Sequence, residues 1–178
     1  QLKGLNNRIG KPDKYKRIYY GINYADFEEG IPGIRRELGI NADDLVVGMT
    51  ACLKAQKAPQ DFIKLAFLVN KNIANVKFVL AGDGILRKPV KKLISKLGLQ
   101  KKVILVGWRR DIPNILSSLD VFVLTSLWEG LPVVVLEAMA SSLPVVATRT
   151  GGVEEAITEN KTGFLVSCGD TRSPLGRG

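Results

Sequence analysis

Glu129 and Glu137 stand with seven residues between them in the largely apolar segment TSLWEGLPVVVLEAMASSLPVVATRTGG, residues 125–152, and a Gly-Leu-Pro follows the first directly. Pro132 suits a first helical turn, where no amide donor is needed. A helix beginning there offers the unpaired N–H groups of Val133 and Val134 and the positive end of its dipole, a seat for a phosphate. Glu137 then lies roughly 7.5 Å along the axis at about 1.5 Å per residue. That is one nucleoside's length past a bound diphosphate, and its two acceptor oxygens suit a ribose diol. Glu129 precedes the helix and faces the group the phosphates carry. The plainer alternative makes Glu129 a rim carboxylate favoured by the helix dipole and Glu137 a solvent-facing position. The apolar neighbours weigh against that for Glu137, because an unpaired glutamate is costly to bury among them.

Histidine is absent from the chain. A Ser-His-Asp triad, a His-ligated metal and a His general base are therefore excluded within these residues.

The elements that position the two glutamates follow from the patterning. From about residue 45, short β-branched runs alternate with amphipathic segments bounded by Gly, Pro or Asp, which is a βα rhythm. Strands are expected at LVVGMTACL (45–53), VKFVLAG (76–82), VILVG (103–107), VFVLTS (121–126), PVVAT (144–148) and GFLVS (163–167). Helices are expected at PQDFIKLAFLVN (59–70), with Phe62, Leu65, Ala66 and Val69 on one face, at RKPVKKLISKLG (87–98) stopped by Gly98, at IPNILSSL (112–119), at Pro132 to Ser141, and briefly near VEEAIT. Continuous rather than alternating apolar runs mark strands covered on both faces, hence an α/β fold with a doubly wound parallel sheet. In such a sheet ligands lie outside the carboxyl ends of the strands, and the junction between VFVLTS and the following helix is one such place.

The 178 residues are 46% apolar and 24% charged, enough for one domain with a buried core. Residues 1–17 read as a linker or the tail of a preceding domain, 18–168 as the folded unit and 169–178 as a fraying tail. No apolar run approaches the roughly 18 residues of a membrane span. Cys52 and Cys168, the two cysteines, read as buried small hydrophobes in a reducing cytoplasm rather than as a disulfide. The formal charge of +9, from 26 basic and 17 acidic residues, favours anionic partners. The basic runs read first as solvated faces, and few aromatics interleave with them as a nucleic-acid platform requires.

The segment DVFVLTSLWEGLPVVVLEAMASSLPVVATRTGGVEEAITENKTGFLV resembles the signature region of the family 4 glycosyltransferases, retaining enzymes of the GT-B fold marked by E-x(7)-E. YYGINYADF, FVLAGDGILR and VILVGWRRDIPNILSSLDVFV are similar to that family's other motifs in the same order, so the resemblance runs over about residues 18–167. It implies that Glu129 contacts the donor sugar and supports its departure, and that Glu137 binds the nucleoside ribose. Gly130, Leu131 and Val133 would bring backbone amides to the diphosphate and sugar. Trp108 and Arg109 would lie on the loop that meets the base, with the path of the loop mattering more than their side chains. Lys57 matches the lysine that neutralises the diphosphate. Where the family usually has an arginine five residues before it, this chain has Cys52. Either Lys54 substitutes or the leaving group is held less well, because a bidentate phosphate donor is gone.

The resemblance further implies sugar transfer from a nucleotide-diphosphate sugar, with uridine or guanosine as the base, to an acceptor hydroxyl with retained configuration. No cofactor is expected, and no metal, since no clustered Asp pair is evident. The acceptor domain that precedes this half in the family is not in the chain, so these residues alone are expected to bind nucleotide weakly and transfer nothing. The expected place is the cytoplasm, where the basic helix could hold the enzyme at the inner membrane face. Two alternatives stand beside this: a GT-B-like sugar-nucleotide epimerase, which converts donor without acceptor, and a basic nucleic-acid, membrane-surface or nucleotide-binding module without catalysis, whose binding would collapse with salt.

Overall fold

The Val- and Leu-rich runs become strands because branched side chains pack well on a pleated surface covered from both sides. In the computed structural model, which describes residues 21–27 and 33–168, they form β1 (Leu45–Thr50), β2 (Val76–Ala81), β3 (Val103–Gly107), β4 (Val121–Leu124), β5 (Val145–Thr148) and β6 (Gly163–Val166). One sheet contains them all in the order β3-β2-β1-β4-β5-β6, and each neighbouring pair is parallel. A short helix, α1 (Ile34–Glu37), precedes β1. Helices α2 (Pro59–Asn70), α3 (Arg87–Lys96), α4 (Ile112–Ser117), α5 (Val133–Ala140) and α6 (Val153–Ala156) follow β1 to β5 in turn. The result is the expected doubly wound, Rossmann-like sheet. Its strand order reverses between β1 and β4, which puts the topological switch point there.

The centre of the sheet is dry: Val46, Met49, Phe78, Val79, Leu80 and Phe122 are wholly buried. Phe62 of α2 meets Phe78 of β2 edge-on, with ring centroids 6.3 Å apart, a favoured geometry for an aromatic pair.

Local departures from the patterning have local causes. The run at 45–53 stops pairing as a strand after Thr50, and Leu53 N–H turns to the Asp83 carbonyl at 2.9 Å. Strand β4 ends at Leu124 rather than Ser126, because the Thr125 hydroxyl is drawn to the carbonyls of Lys57 and Ala58 at 3.0 and 3.1 Å. Helix α4 stops at Ser117, and the buried Ser118 hydroxyl donates back to the Ile115 carbonyl at 2.6 Å. Helix α3 ends at Lys96, just before Gly98 at φ 69. On α2 the deepest arc is Pro59, Phe62, Ile63 and Ala66, while Leu65 and Val69 are only half-buried at its flank. Both cysteines are exposed and free, not buried, since each follows the end of a strand rather than lying within it. The linker and tail read at 1–17 and 169–178 lie outside the described residues, as does the start of YYGINYADF; its end forms a 3-10 turn at Tyr24–Phe27. Among the described residues no helix is long and apolar enough to cross a membrane.

Candidate functional site

At the switch point the loops after β1 and β4 are sewn together. Leu127 N–H donates to the Gln56 carbonyl at 2.8 Å, and the Gln56 side-chain amide donates to the Trp128 carbonyl at 3.0 Å. The 3-10 turn Ala55–Lys57 thereby brings the Lys57 ammonium within 2.5 Å of Glu129 Oε1. The Ser126 hydroxyl donates to that same oxygen at 2.5 Å. The side chains of Lys57 and Glu129 are only 16% and 6% exposed, so this is a largely desolvated pair with both members partnered. For Glu129 Oε2 no donor occurs among the described residues. One carboxylate oxygen is thus spent on holding the group, and the other is available to a substrate.

The loop carrying Glu129 is clamped from behind. The Thr148 hydroxyl at the end of β5 bonds the Ser126 carbonyl, and Gly152 N–H donates to the Gly130 carbonyl at 2.6 Å. A Cβ at Gly151 would collide with the Glu129 carbonyl, and one at Gly152 with the Gly130 carbonyl. Gly151 also holds φ at 50, where glycine is favoured. A Cβ at Gly130, by contrast, would meet nothing within 4 Å. The loop is therefore open at Gly130 while its back is closed by glycine contacts.

Pro132 caps α5 in an extended conformation, and Val135 N–H bonds the Pro132 carbonyl at 3.0 Å. The amides of Val133 and Val134 precede the first possible intrahelical acceptor, as at any helix start. Glu137, one turn on, is half-buried, and burial pushes its carboxyl above the usual carboxylate range. No described residue donates to its carboxylate oxygens. Half-buried and without a donor to its carboxylate, it is the acid of the apolar segment that most needs an external partner.

Lys57, Glu129, Gly130, Leu131 and Val133 are thus gathered at one junction, with Glu137 on the helix that leaves it. Trp108 and Arg109 lie apart, after β3 and two strands from β1, on the same carboxyl rim. Trp108 is exposed with the Arg110 guanidinium 5.2 Å from its ring. Arg109 is committed within the chain: it grips Asp111 through two bonds of 2.7 and 2.6 Å and Glu37 at 2.8 Å, which ties the loop to α1. This pairing holds the Asp111 carboxyl below its ordinary range. Cys52 and Lys54 are both exposed, and no described residue holds the Lys54 ammonium. Ser126, Gln56, Thr125 and the Gly151–Gly152 pair were not singled out from the sequence; the glycine doublet after a strand was the one local cue. No group of three or more His, Cys, Asp or Glu side chains suited to a metal ion occurs among the described residues.

Residues 31–173 match the family described as glycosyl transferases group 1. The chain belongs to this family. It is 37% identical over 155 residues to UDP-Gal:alpha-D-GlcNAc-diphosphoundecaprenol alpha-1,3-galactosyltransferase of Escherichia coli, covering 85% of this chain and 38% of that enzyme. Among solved structures it resembles HepE of Anabaena, crystallised in complex with UDP-glucose, with a TM-score of 0.83 and 28% identity over 94% of this chain and 47% of that one. It also resembles the C-terminal domain of the group 1 glycosyl transferase LpcC from Francisella tularensis, with a TM-score of 0.72, 26% identity, and coverage of 83% of this chain and 80% of that one. The chain spans less than half the length of the galactosyltransferase and of HepE. Its parallel sheet is of the kind carried by GT-B glycosyltransferases.

Proposed function

We propose that this group 1 glycosyltransferase chain is the donor-binding half of a family 4 retaining enzyme, which moves a hexose from a nucleotide-diphosphate sugar to an acceptor hydroxyl. The observation that carries the reading is the Lys57–Glu129–Ser126 cluster at the switch point, directly ahead of the α5 start. In this reading the diphosphate sits on the amides around Gly130, Leu131 and Val133 and against Lys57. Glu137 accepts from the ribose hydroxyls, which offsets the cost of its burial. Free Oε2 of Glu129 faces the sugar. The loop of Trp108 and Arg109 meets the base.

When the bond between the anomeric carbon and the diphosphate oxygen breaks, that oxygen leaves with the electron pair. Lys57 and the α5 dipole are aimed at the charge that develops, and no metal or cofactor is required for this. The arriving diphosphate competes with Glu129 for Lys57, so donor binding loosens the ion pair and frees the carboxylate for the sugar. With Cys52 in place of a second cationic donor, Lys54 is the nearest candidate to share the charge. HepE in complex with UDP-glucose supports uridine over guanosine as the base. A cytoplasmic site of action fits two unpaired thiols.

The acceptor belongs to a second domain across a cleft. A chain carrying both domains is expected to give product with the donor's anomeric configuration, read from the anomeric proton in NMR, whereas these 178 residues alone transfer nothing. Inverted product, or turnover by this chain alone, contradicts the proposal.

A further inference from the structure

The outer face of α3 carries a device that the donor site does not use. Val90 and Ile94 turn inward to the core, and Lys88, Lys91, Lys92 and Lys96 all project outward, with Ser95 between them. No acid lies on this helix's outer face, and no described carboxylate pairs with any of the four ammonium groups. On neighbouring α2, by contrast, Lys64 pairs with Asp61 at 2.8 Å. At the amino end of the stripe stands Ile85, 84% exposed and the most exposed large hydrophobic residue described. The preceding turn is rigid: Asp83 accepts from Gly84 N–H at 2.7 Å and from Arg87 at 2.9 Å, and Leu86 N–H donates to the Leu53 carbonyl at 2.9 Å. The apolar side chain is thus held outward by an ordered turn rather than by a frayed loop.

We propose that this face, Ile85 with Lys88, Lys91, Lys92 and Lys96, docks the protein on an anionic lipid bilayer. Clustered lysines are drawn to acidic headgroups, and their long stems let the ammonium groups reach them. Ile85 enters the headgroup boundary as an apolar contact. A nucleic-acid partner is the poorer fit, because an isolated aliphatic residue provides no stacking platform and the helix bears no fork-shaped arginine on its outer face. The inference does not rest on the donor-site reading, since none of these residues belongs to that site.

The test is co-sedimentation of the full chain with vesicles of phosphatidylcholine containing about 30 mol% phosphatidylglycerol, at roughly 0.1 M salt. The Lys88→Gln/Lys92→Gln variant is expected to lose about 25-fold in partitioning, at about fivefold per lysine. Ile85→Ser is expected to weaken partitioning with no change in charge. Lys71→Gln/Lys161→Gln loses the same net charge from exposed positions on other elements and is expected to bind nearly as the parent does. All variants should keep the parent's thermal unfolding and nucleotide binding. Equal losses for the two lysine doubles, parent binding to pure phosphatidylcholine as strong as to the acidic vesicles, or tighter retention on duplex DNA than on acidic vesicles would each overturn the proposal.

Discussion

Lys57 and Glu129 show how much one pair of side chains carries here. Removing the cation from a carboxylate that is 6% exposed leaves a buried charge without compensation, which costs about 3 kcal/mol. Lys57→Met is therefore expected to lower the unfolding midpoint by roughly 6–12 °C for a chain of this size. Glu129→Gln should cost less, because its carbonyl still accepts from Ser126. Thermal unfolding of both variants checks this; a Lys57→Met midpoint equal to the parent's contradicts the burial of the pair. Glu137 gives a pH dependence of definite sign. Its carboxyl is raised by burial, so the folded state binds its proton more tightly than the unfolded chain does. Its contribution to stability is then present below the ordinary carboxylate range and is lost as pH rises through the raised value. Glu137→Gln should flatten that decline and unfold at a higher temperature than the parent at neutral pH, as melts across the acidic range can show. Both acids were legible from their type and spacing in an apolar segment. The Ser126 hydroxyl was not, because a serine at a strand end looks the same whether or not a carboxylate reaches it. The exposure of the cysteines is not legible either, because a thiol next to an apolar run follows the strand as easily as it lies in it; the burial of each depends on where the strand stops.

At the scale of elements, the site is two loops held at one separation by backbone bonds and by two glycines. Gly152→Ala forces a methyl group into the Gly130 carbonyl and must push the Glu129 loop outward. It is expected to weaken nucleotide binding at least tenfold, for a displacement costing about 1.4 kcal/mol or more in the bound geometry, and to lower stability as well. Gly130→Ala makes the informative contrast. Its methyl group enters open space in the free chain, so stability should be unchanged while nucleotide affinity falls. Calorimetric titration together with a melt separates the two effects. If Gly130→Ala binds as the parent does, the ligand does not approach that side of the loop. The strands were readable because runs of branched residues are long and bounded by turn formers. Helix α1 was not, since the four residues IRRE show no period. The interlock of the Gln56 turn with Leu127 and Trp128 was also hidden, because it is made by backbone groups any residue possesses.

For the whole molecule, the alternation of strands and helices made a doubly wound sheet readable, but not which strands neighbour each other. The placement of β1 beside β4, whose first residues Leu45 and Val121 are 76 positions apart, is not written in any local pattern; it arises from the packing of helices on both faces, and it brings Lys57 to Glu129.

 Lys57 and Glu129 themselves are 72 positions apart. Contacts at that range leave no trace in short windows of sequence, and for this reason the lysine's role came only with the family resemblance.

The central claim is that a nucleotide sits at the start of α5 with its ribose on Glu137, and direct calorimetric titration of UDP, GDP and ADP into the full chain and into Glu137→Ala tests it. One nucleotide, UDP, is expected to bind the parent chain measurably and to lose at least tenfold in affinity, about 1.4 kcal/mol, in the variant. Equal affinity of the two chains for UDP, or no preference among the three nucleotides, would contradict it.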